Sequence, residues 1–122
     1  MFEIRIVTDF SAAHSLRDYP GDCRKVHGHN WKVEVVVQAE ELDPLGISMD
    51  FKTLRRETEE LLDTLDHSYL NDNPPFHALN PTAENIARWI YETLSKRLND
   101  PRVRVGRVNV WETERSRASY FE

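Results

Sequence analysis

Residues 31–37 constrain the fold more than any other part of the chain. They begin with an alternation of apolar and polar side chains, and β-branched valines dominate the segment. This pattern is typical of a strand with a buried face. Residues 2–6 alternate in the same way, and a turn signal at residues 19–22 lies between the two segments. We therefore predict that the chain begins with two strands joined by a long connection.

Two helices are predicted in the middle of the chain. Asp50 is a candidate N-cap for a helix over residues 51–65, and Thr82 is a candidate N-cap for a helix that runs to about Leu98. Pro101 lies just beyond the second helix and cannot continue it. Both helices have apolar side chains at helical spacing. These are Phe51, Leu54, Leu61, Leu62 and Leu65 in the first and Ile86, Trp89, Ile90, Leu94 and Leu98 in the second.

The last part of the chain returns to strands. Residues 103–105 and 108–110 alternate with a phase that differs by one residue, and Gly106 lies between them, which predicts a β-bulge. Residues 116–121 can pair back as a final strand. The order ββααββ predicts an α+β fold with an antiparallel sheet and two helices on one face. The two exposed edges of a four-stranded sheet favour oligomerisation.

Length and composition narrow the class of protein. A chain of 122 residues, with 39% hydrophobic and 30% charged residues, is expected to form one globular domain over residues 1–122. We predict no membrane span and no secretory signal, and therefore a cytoplasmic protein. The net charge of -5 argues against nucleic acid as a partner. Cys23 is the only cysteine, so the chain has no internal disulfide.

Three of the five histidines predict a metal site. His27 and His29 are two residues apart at the start of the second strand, so both rings point to one face. His14 lies at the end of the first strand and comes near them if the two strands pair. Three imidazoles with an open fourth position are typical of catalytic zinc. Cys23 lies four residues before His27, however, and a closed structural site with four ligands remains an alternative.

A weaker signal comes from Asp66 and His67, at the end of the first predicted helix. A carboxylate beside an imidazole fixes its tautomer and favours proton transfer near neutral pH. Adjacent Asp-His pairs also occur by chance, so this pair carries little weight alone. His77 has no such companion, and we expect it to face solvent.

The motifs, taken in order, resemble the 6-pyruvoyl-tetrahydropterin synthase superfamily over nearly the whole chain. Each motif is weak alone, whereas their ordered combination is specific. The resemblance implies the tunnelling fold and a homohexamer built from two trimers, with active sites between subunits. The spacing of Cys23 and His27 is similar to that of the bacterial 6-carboxytetrahydropterin synthase branch. The motifs are residues 10–14, Cys23 to His29, residues 49–51, residues 65–67, residues 80–85 and residues 111–113.

The resemblance also implies roles for individual residues. The zinc ligands match His14, His27 and His29. Cys23 matches a catalytic base rather than a ligand, and Asp66 with His67 matches a proton relay. The pterin-anchoring carboxylate matches Glu112, while Thr82 and Glu84 match further pterin contacts. Ala83 stands where some relatives have a hydroxyl residue, so the sequence departs from the family there.

The implied substrate is a small molecule, 7,8-dihydroneopterin triphosphate. The implied reaction yields 6-carboxy-5,6,7,8-tetrahydropterin, acetaldehyde and triphosphate for queuosine and 7-deazaguanine biosynthesis. One alternative is a 6-pyruvoyl-tetrahydropterin synthase or another dihydroneopterin-processing relative, which differs in its product. Another is a non-catalytic binding module stabilised by zinc.

Overall fold

A computed structural model describes residues 1–122 as one five-stranded sheet and two α-helices. The strands lie side by side in the order β3-β1-β2-β4-β5. Short 3-10 turns at Asp22–Arg24 and Leu70–Asp72 complete the chain. The elements are β1 (Phe2–His14), β2 (His27–Ala39), α1 (Phe51–Asp63), β3 (Ser68–Tyr69), α2 (Ala83–Leu98), β4 (Val103–Thr113) and β5 (Ser116–Tyr120).

The sheet confirms the predicted antiparallel pairing and adds one strand to it. β1 pairs with β2, β2 with β4 and β4 with β5, all antiparallel. The prediction of four strands and a purely antiparallel sheet was wrong in one respect, because β3 pairs with β1 in parallel. This strand is only two residues long, too short for an alternating pattern to be visible in the sequence. It covers one end of β1, at Ala12 and Ala13.

Both helices begin at the predicted caps. The Asp50 carboxylate accepts a hydrogen bond from the Lys52 N–H at 2.8 Å, and the Thr82 hydroxyl accepts one from the Asn85 N–H at 3.1 Å. The predicted stripe of α1 was wrong at Phe51, which is exposed at the first position of the helix. Neither helix has the length and apolar character that a membrane crossing requires.

The hydrophobic core lies between the helices and one face of the sheet. It contains 23 buried residues, among them Trp31, Val33, Val35 and Val37 on alternate positions of β2. Because side chains alternate across a strand, the histidines at the start of β2 point to this same face. The helices and the core therefore lie on the same side of the sheet as the predicted metal site.

The predicted β-bulge is confirmed at Gly106. Val105 pairs with Val37 and Arg107 pairs with Val36, so Gly106 is an extra residue on β4. The bulge lets valines on both sides of it point into the core despite their change of phase. A Cβ atom at position 106 would lie 2.7 Å from Cδ of Gln38. A larger residue at this position would therefore have to displace the Gln38 side chain.

Candidate metal centre and active site

The register of the first two strands brings three histidines together. His14 is directly opposite His27, and Ala12 is opposite His29. All three rings contact one another edge-on, with centroids 4.5 to 5.2 Å apart. Trp31 lies beneath His14 and His29 and donates its indole N–H to the carbonyl oxygen of Ala12 at 3.2 Å. A buried ring thus supports the cluster from the core side.

Glu112, near the end of β4, completes a group of four possible ligands. Its Oε1 atom lies 3.1 Å from His14 Nε2 and 3.4 Å from His29 Nε2. His14 Nε2 lies 2.9 Å from His27 Nε2. One ligand atom from each of the four residues lies within 4.8 Å of all the others, so the group could hold a metal ion. The family resemblance implies that Glu112 anchors the pterin, and the structure also brings it to the histidines.

The hydrogen bonds of the histidine rings favour coordination through Nε2. His14 Nδ1 lies 2.7 Å from the carbonyl oxygen of Pro81, and His27 Nδ1 lies 2.7 Å from that of Lys25. A carbonyl accepts, so each Nδ1 carries the proton and each Nε2 presents a lone pair. His29 Nε2 is buried without a hydrogen-bond partner, and its nearest carboxylate oxygen, Glu112 Oε1, lies 3.4 Å away. A metal ion at this point would satisfy that orphaned atom, so the donor set fits one.

Burial keeps two of these rings neutral. It lowers the pKa of His14 and His29 below the ordinary value for histidine. The Pro81 carbonyl opposes this effect at His14, and the Glu112 carboxylate opposes it at both rings. The neighbouring His27 lowers the pKa of both further. Neutral imidazole is the form that binds metal, so the two rings are prepared for coordination at neutral pH.

Cys23 does not belong to this group. It lies in the turn Asp22–Arg24 with a half-buried side chain. Its carbonyl oxygen accepts a hydrogen bond from the Leu16 N–H at 2.8 Å, which ties the turn to the segment that follows His14. The arrangement argues against the closed site of three histidines and one cysteine, since the fourth position beside the histidines is taken by Glu112.

Asp66 and His67 lie at the outer edge of β1, and neither is among the clustered ligands. Asp66 accepts a hydrogen bond from the Ser11 N–H at 2.9 Å and lies 2.9 Å from His67 Nδ1. The first contact, reinforced by the second, lowers the pKa of Asp66. The His67 N–H in turn donates to the Ser11 carbonyl at 2.6 Å. His67 has φ of 55°, and its side chain is 82% exposed. Its ring is therefore anchored at Nδ1 and open to solvent.

The other two predicted pterin contacts lie at the start of α2. Thr82 caps the helix, and Glu84 is exposed in its first turn. Glu84 and Glu112 line the same cavity of about 370 Å³, together with Arg117 and small residues of β5. The cavity connects the helix start to the edge of the metal group.

Sequence reasoning missed the residues that hold the ligands in place. Asn71 and Asn80 each form two hydrogen bonds with the backbone of the segment after His14. The Pro81 carbonyl orients His14. None of these contacts has a periodic signal in the sequence. The Asn-Pro pair at positions 80 and 81 was noted only as part of a family motif.

Comparisons with known proteins identify the family of this chain and agree with its fold. The chain matches the family 6-pyruvoyl tetrahydropterin synthase over residues 3–122. It is 38% identical to the 6-carboxy-5,6,7,8-tetrahydropterin synthase of Synechocystis, over 92% of this chain and 87% of the relative. It is 37% identical to the dihydroneopterin monophosphate aldolase of Pyrococcus furiosus, over 84% and 82% of the two chains. The structure of Caenorhabditis elegans 6-pyruvoyl tetrahydropterin synthase superposes with a TM-score of 0.88 at 30% identity, covering 99% and 95% of the two chains.

The fold and the site define an α+β protein with a cluster of metal-ligating side chains. The family match covers almost the entire chain, and the relatives are similar over most of their own length. The chain therefore belongs to the 6-pyruvoyl tetrahydropterin synthase family of enzymes.

Proposed function

We propose that this chain is a zinc-dependent 6-carboxy-5,6,7,8-tetrahydropterin synthase. Its substrates are 7,8-dihydroneopterin triphosphate and water, and its products are 6-carboxy-5,6,7,8-tetrahydropterin, acetaldehyde and triphosphate, in queuosine and 7-deazaguanine biosynthesis. The observation that carries the proposal is the convergence of three histidine Nε2 atoms, one of them a buried orphan, beside Glu112. The similarity to the Synechocystis synthase supports this choice of reaction.

His14, His27 and His29 hold the zinc ion through Nε2. When bound, zinc supplies Lewis-acid polarisation of the hydroxyls on the substrate side chain, which makes the adjacent C–H more acidic. The histidines are fixed for this task, since Pro81 and Lys25 orient two of the rings through their carbonyl oxygens.

Cys23 removes the proton from the substrate side chain. The thiolate is the reactive form of cysteine, and adjacent cations favour it. Arg24 and Lys25 follow Cys23 directly and supply positive charge at the turn. His67 returns protons as the side chain rearranges, while Asp66 holds its Nδ1 and leaves Nε2 free.

Glu112 orients the pterin ring. Its two carboxylate oxygens accept hydrogen bonds from a ring N–H and the exocyclic amine together, a paired geometry that fixes the ring in one orientation. Thr82 and Glu84 contribute further contacts from the start of α2. The cavity shared by Glu84 and Glu112 supports this assignment because it is large enough for a bicyclic ring.

We propose that the active site is shared between chains, as the family resemblance implies. The metal group faces the helices, whereas the Asp66–His67 pair is on the outer edge of β1 and points to solvent. That edge carries no partner strand along residues 2–11. The free edge leaves room for another chain, and the family resemblance implies a homohexamer of two trimers. We propose that the enzyme is such a hexamer in the cytoplasm, in which His67 of one chain serves the metal site of another.

Product analysis tests the proposal. Purified zinc-loaded protein is incubated with 7,8-dihydroneopterin triphosphate, and the pterins and aldehydes are separated and quantified. Acetaldehyde in equal amount to 6-carboxytetrahydropterin is the expected result. A pyruvoyl product without acetaldehyde would assign the chain to the sister reaction, 6-pyruvoyl-tetrahydropterin synthesis. A glycolaldehyde that still carries the phosphate groups would instead favour an aldolase activity, as in the name of the Pyrococcus furiosus relative.

A separate experiment distinguishes an enzyme from a zinc-stabilised binding module. Cys23→Ala is expected to keep its metal and its fold and to lose turnover, since the thiol lies outside the ligand group. His27→Ala is expected to lose metal and turnover together. Metal content is measured by elemental analysis and the fold by circular dichroism. Loss of metal and fold in Cys23→Ala would support the structural module instead.

A further inference from the structure

Glu112 has a backbone position that sets it apart from the rest of β4. Trp111 pairs with Arg117 and Thr113 pairs with Ser116, so Glu112 is the extra residue of a second β-bulge. The pairing of β4 with β2 also ends at Trp111. Glu112 is two residues beyond Val110, whose side chain is buried in the core, so the alternation of β4 already points its side chain to the face that carries the histidines. The bulge leaves the backbone of Glu112 outside the pairing with β5.

Three of the distances between the four ligand atoms are close to those of a tetrahedral coordination shell. Zinc ligands at about 2.0 to 2.1 Å in a tetrahedron are roughly 3.3 Å apart. Glu112 Oε1 lies 3.1 Å from His14 Nε2 and 3.4 Å from His29 Nε2. His14 and His27 are 2.9 Å apart at their Nε2 atoms. Glu112 Oε1 is therefore as close to the histidine nitrogens as a fourth metal ligand would be.

The same carboxylate also lines the cavity beside α2. Its side chain is 33% exposed, whereas that of His14 is completely buried. Glu112 therefore lies at the boundary between the metal group and the cavity. A carboxylate that accepts two parallel hydrogen bonds from a pterin turns both oxygens toward the ring, so the ring competes with the metal for the Glu112 carboxylate.

We propose that Glu112 is the fourth metal ligand in the substrate-free protein and leaves the metal when it binds the pterin ring. Binding of the ring thereby opens one coordination position for the substrate side chain. The inference rests on the proposed metal site of three histidines, and it adds an exchange that makes access to the metal depend on pterin binding. The backbone of Glu112 pairs with neither β2 nor β5, so the strand pairing does not hold this residue in one position during the exchange.

Co²⁺-substituted protein tests the exchange without turnover, because the visible spectrum of Co²⁺ reports its ligands. Azide serves as a probe for an open coordination position. We expect azide to bind at least tenfold more tightly to Glu112→Ala than to the wild-type protein. We expect 6-methylpterin, which lacks the side-chain hydroxyls, to tighten azide binding to the wild type at least tenfold and to leave Glu112→Ala unchanged. Glu114→Gln is the matched control, since Glu114 is an exposed carboxylate two residues away and should behave as wild type.

Zinc affinity provides the second measurement. Competition with a chelator measures the dissociation constant for zinc. We expect that constant to be at least tenfold higher for Glu112→Gln than for either the wild type or Glu114→Gln. Equal azide binding by wild type and Glu112→Ala, together with equal zinc affinity, would overturn the inference while the three-histidine site stands. Failure of the wild-type protein to retain Co²⁺ or Zn²⁺ would overturn the proposed metal site itself. Circular dichroism of each variant excludes loss of fold as the cause.

Discussion

Asn71 clamps the backbone next to a metal ligand, and its removal should destabilise the protein measurably. Its side-chain oxygen accepts a hydrogen bond from the Ser15 N–H at 3.0 Å, and its amide donates to the Ser15 carbonyl at 2.9 Å. Asn71 is 7% exposed, and Ser15 follows His14 directly. Asn71→Ala removes both hydrogen bonds and leaves two backbone groups of Ser15 without these partners.

The expected loss follows from these two bonds. Each contributes about 1 kcal/mol net, and the stranded backbone groups bring the total to about 2 to 3 kcal/mol. For a chain of this length the unfolding entropy converts that loss into a decrease in Tm of about 8 to 12 °C. Asn71→Asp should be destabilised as well, because it keeps the acceptor for the Ser15 N–H but places an oxygen against the Ser15 carbonyl.

Thermal unfolding by circular dichroism measures the effect at fixed protein and metal concentrations, since both shift the apparent stability. Asp72→Ala is the matched control, because Asp72 is the exposed neighbour of Asn71 and its substitution should change the free energy of unfolding by less than about 0.5 kcal/mol. A decrease of less than about 2 °C for Asn71→Ala would refute the assignment of a clamp and the magnitudes behind it.

Three further perturbations test other parts of the structure. Hydrogen bonds from the Ser11 N–H and, to a lesser extent, from His67 lower the pKa of Asp66 in the folded protein. The ionised carboxylate therefore stabilises the fold at pH values above the ordinary aspartate pKa of about 3.9. This stabilisation is lost as the pH falls through the lowered pKa of the folded state. Urea unfolding of wild type and Asp66→Asn should therefore diverge above about pH 4 and converge in stronger acid, and a constant difference would contradict this reasoning. Gly106→Ala should cost about 1 kcal/mol, because the new Cβ meets the Gln38 side chain, and the cost should vanish when Gln38→Ala is added in a double-mutant cycle. Trp31→Phe should lower the free energy of unfolding by about 2 kcal/mol, because it removes the indole hydrogen bond and part of the packing against the metal-site histidines. Chemical unfolding measures this change, and an unchanged free energy of unfolding would show that Trp31 does not support the histidines.

The sequence predicts the strands and helices well where side chains repeat with a regular period. Alternation in β2 and the caps at Asp50 and Thr82 led directly to elements that the structure contains. The change of phase at Gly106 identified a bulge because it moves a whole set of valines. The prediction that Phe51 belongs to the buried stripe of α1 was wrong. Periodicity gives the direction of a side chain around the helix axis, but it does not show whether another element extends far enough to cover that side chain.

The candidate site was predictable only where the sheet itself sets its geometry. Residues two apart on a strand share a face, and strand pairing brings His14 to His27, so the cluster follows from local rules. The alternation of β4 places Glu112 on the face of Val110, but its approach to His14 depends on the pairing of β4 with β2, which no local pattern fixes. The Asn71 contact to Ser15 joins two loops 56 residues apart, and no local pattern encodes a contact of that kind.

The metal ligands and the proposed proton-transfer groups differ in how rigidly the fold holds them. His14 and His29 lie on β1 and β2, which pair with each other throughout the site. Cys23 lies in a short turn. His67 lies in the connection after α1 and has a φ of 55°. Sites on strands are held more accurately than sites on loops. We therefore expect substitutions in residues 18–26 to alter turnover and product ratio while leaving metal affinity within about threefold of wild type. Such a result would locate reaction specificity in the turn, whereas a parallel loss of metal would show that the turn also holds the ligands.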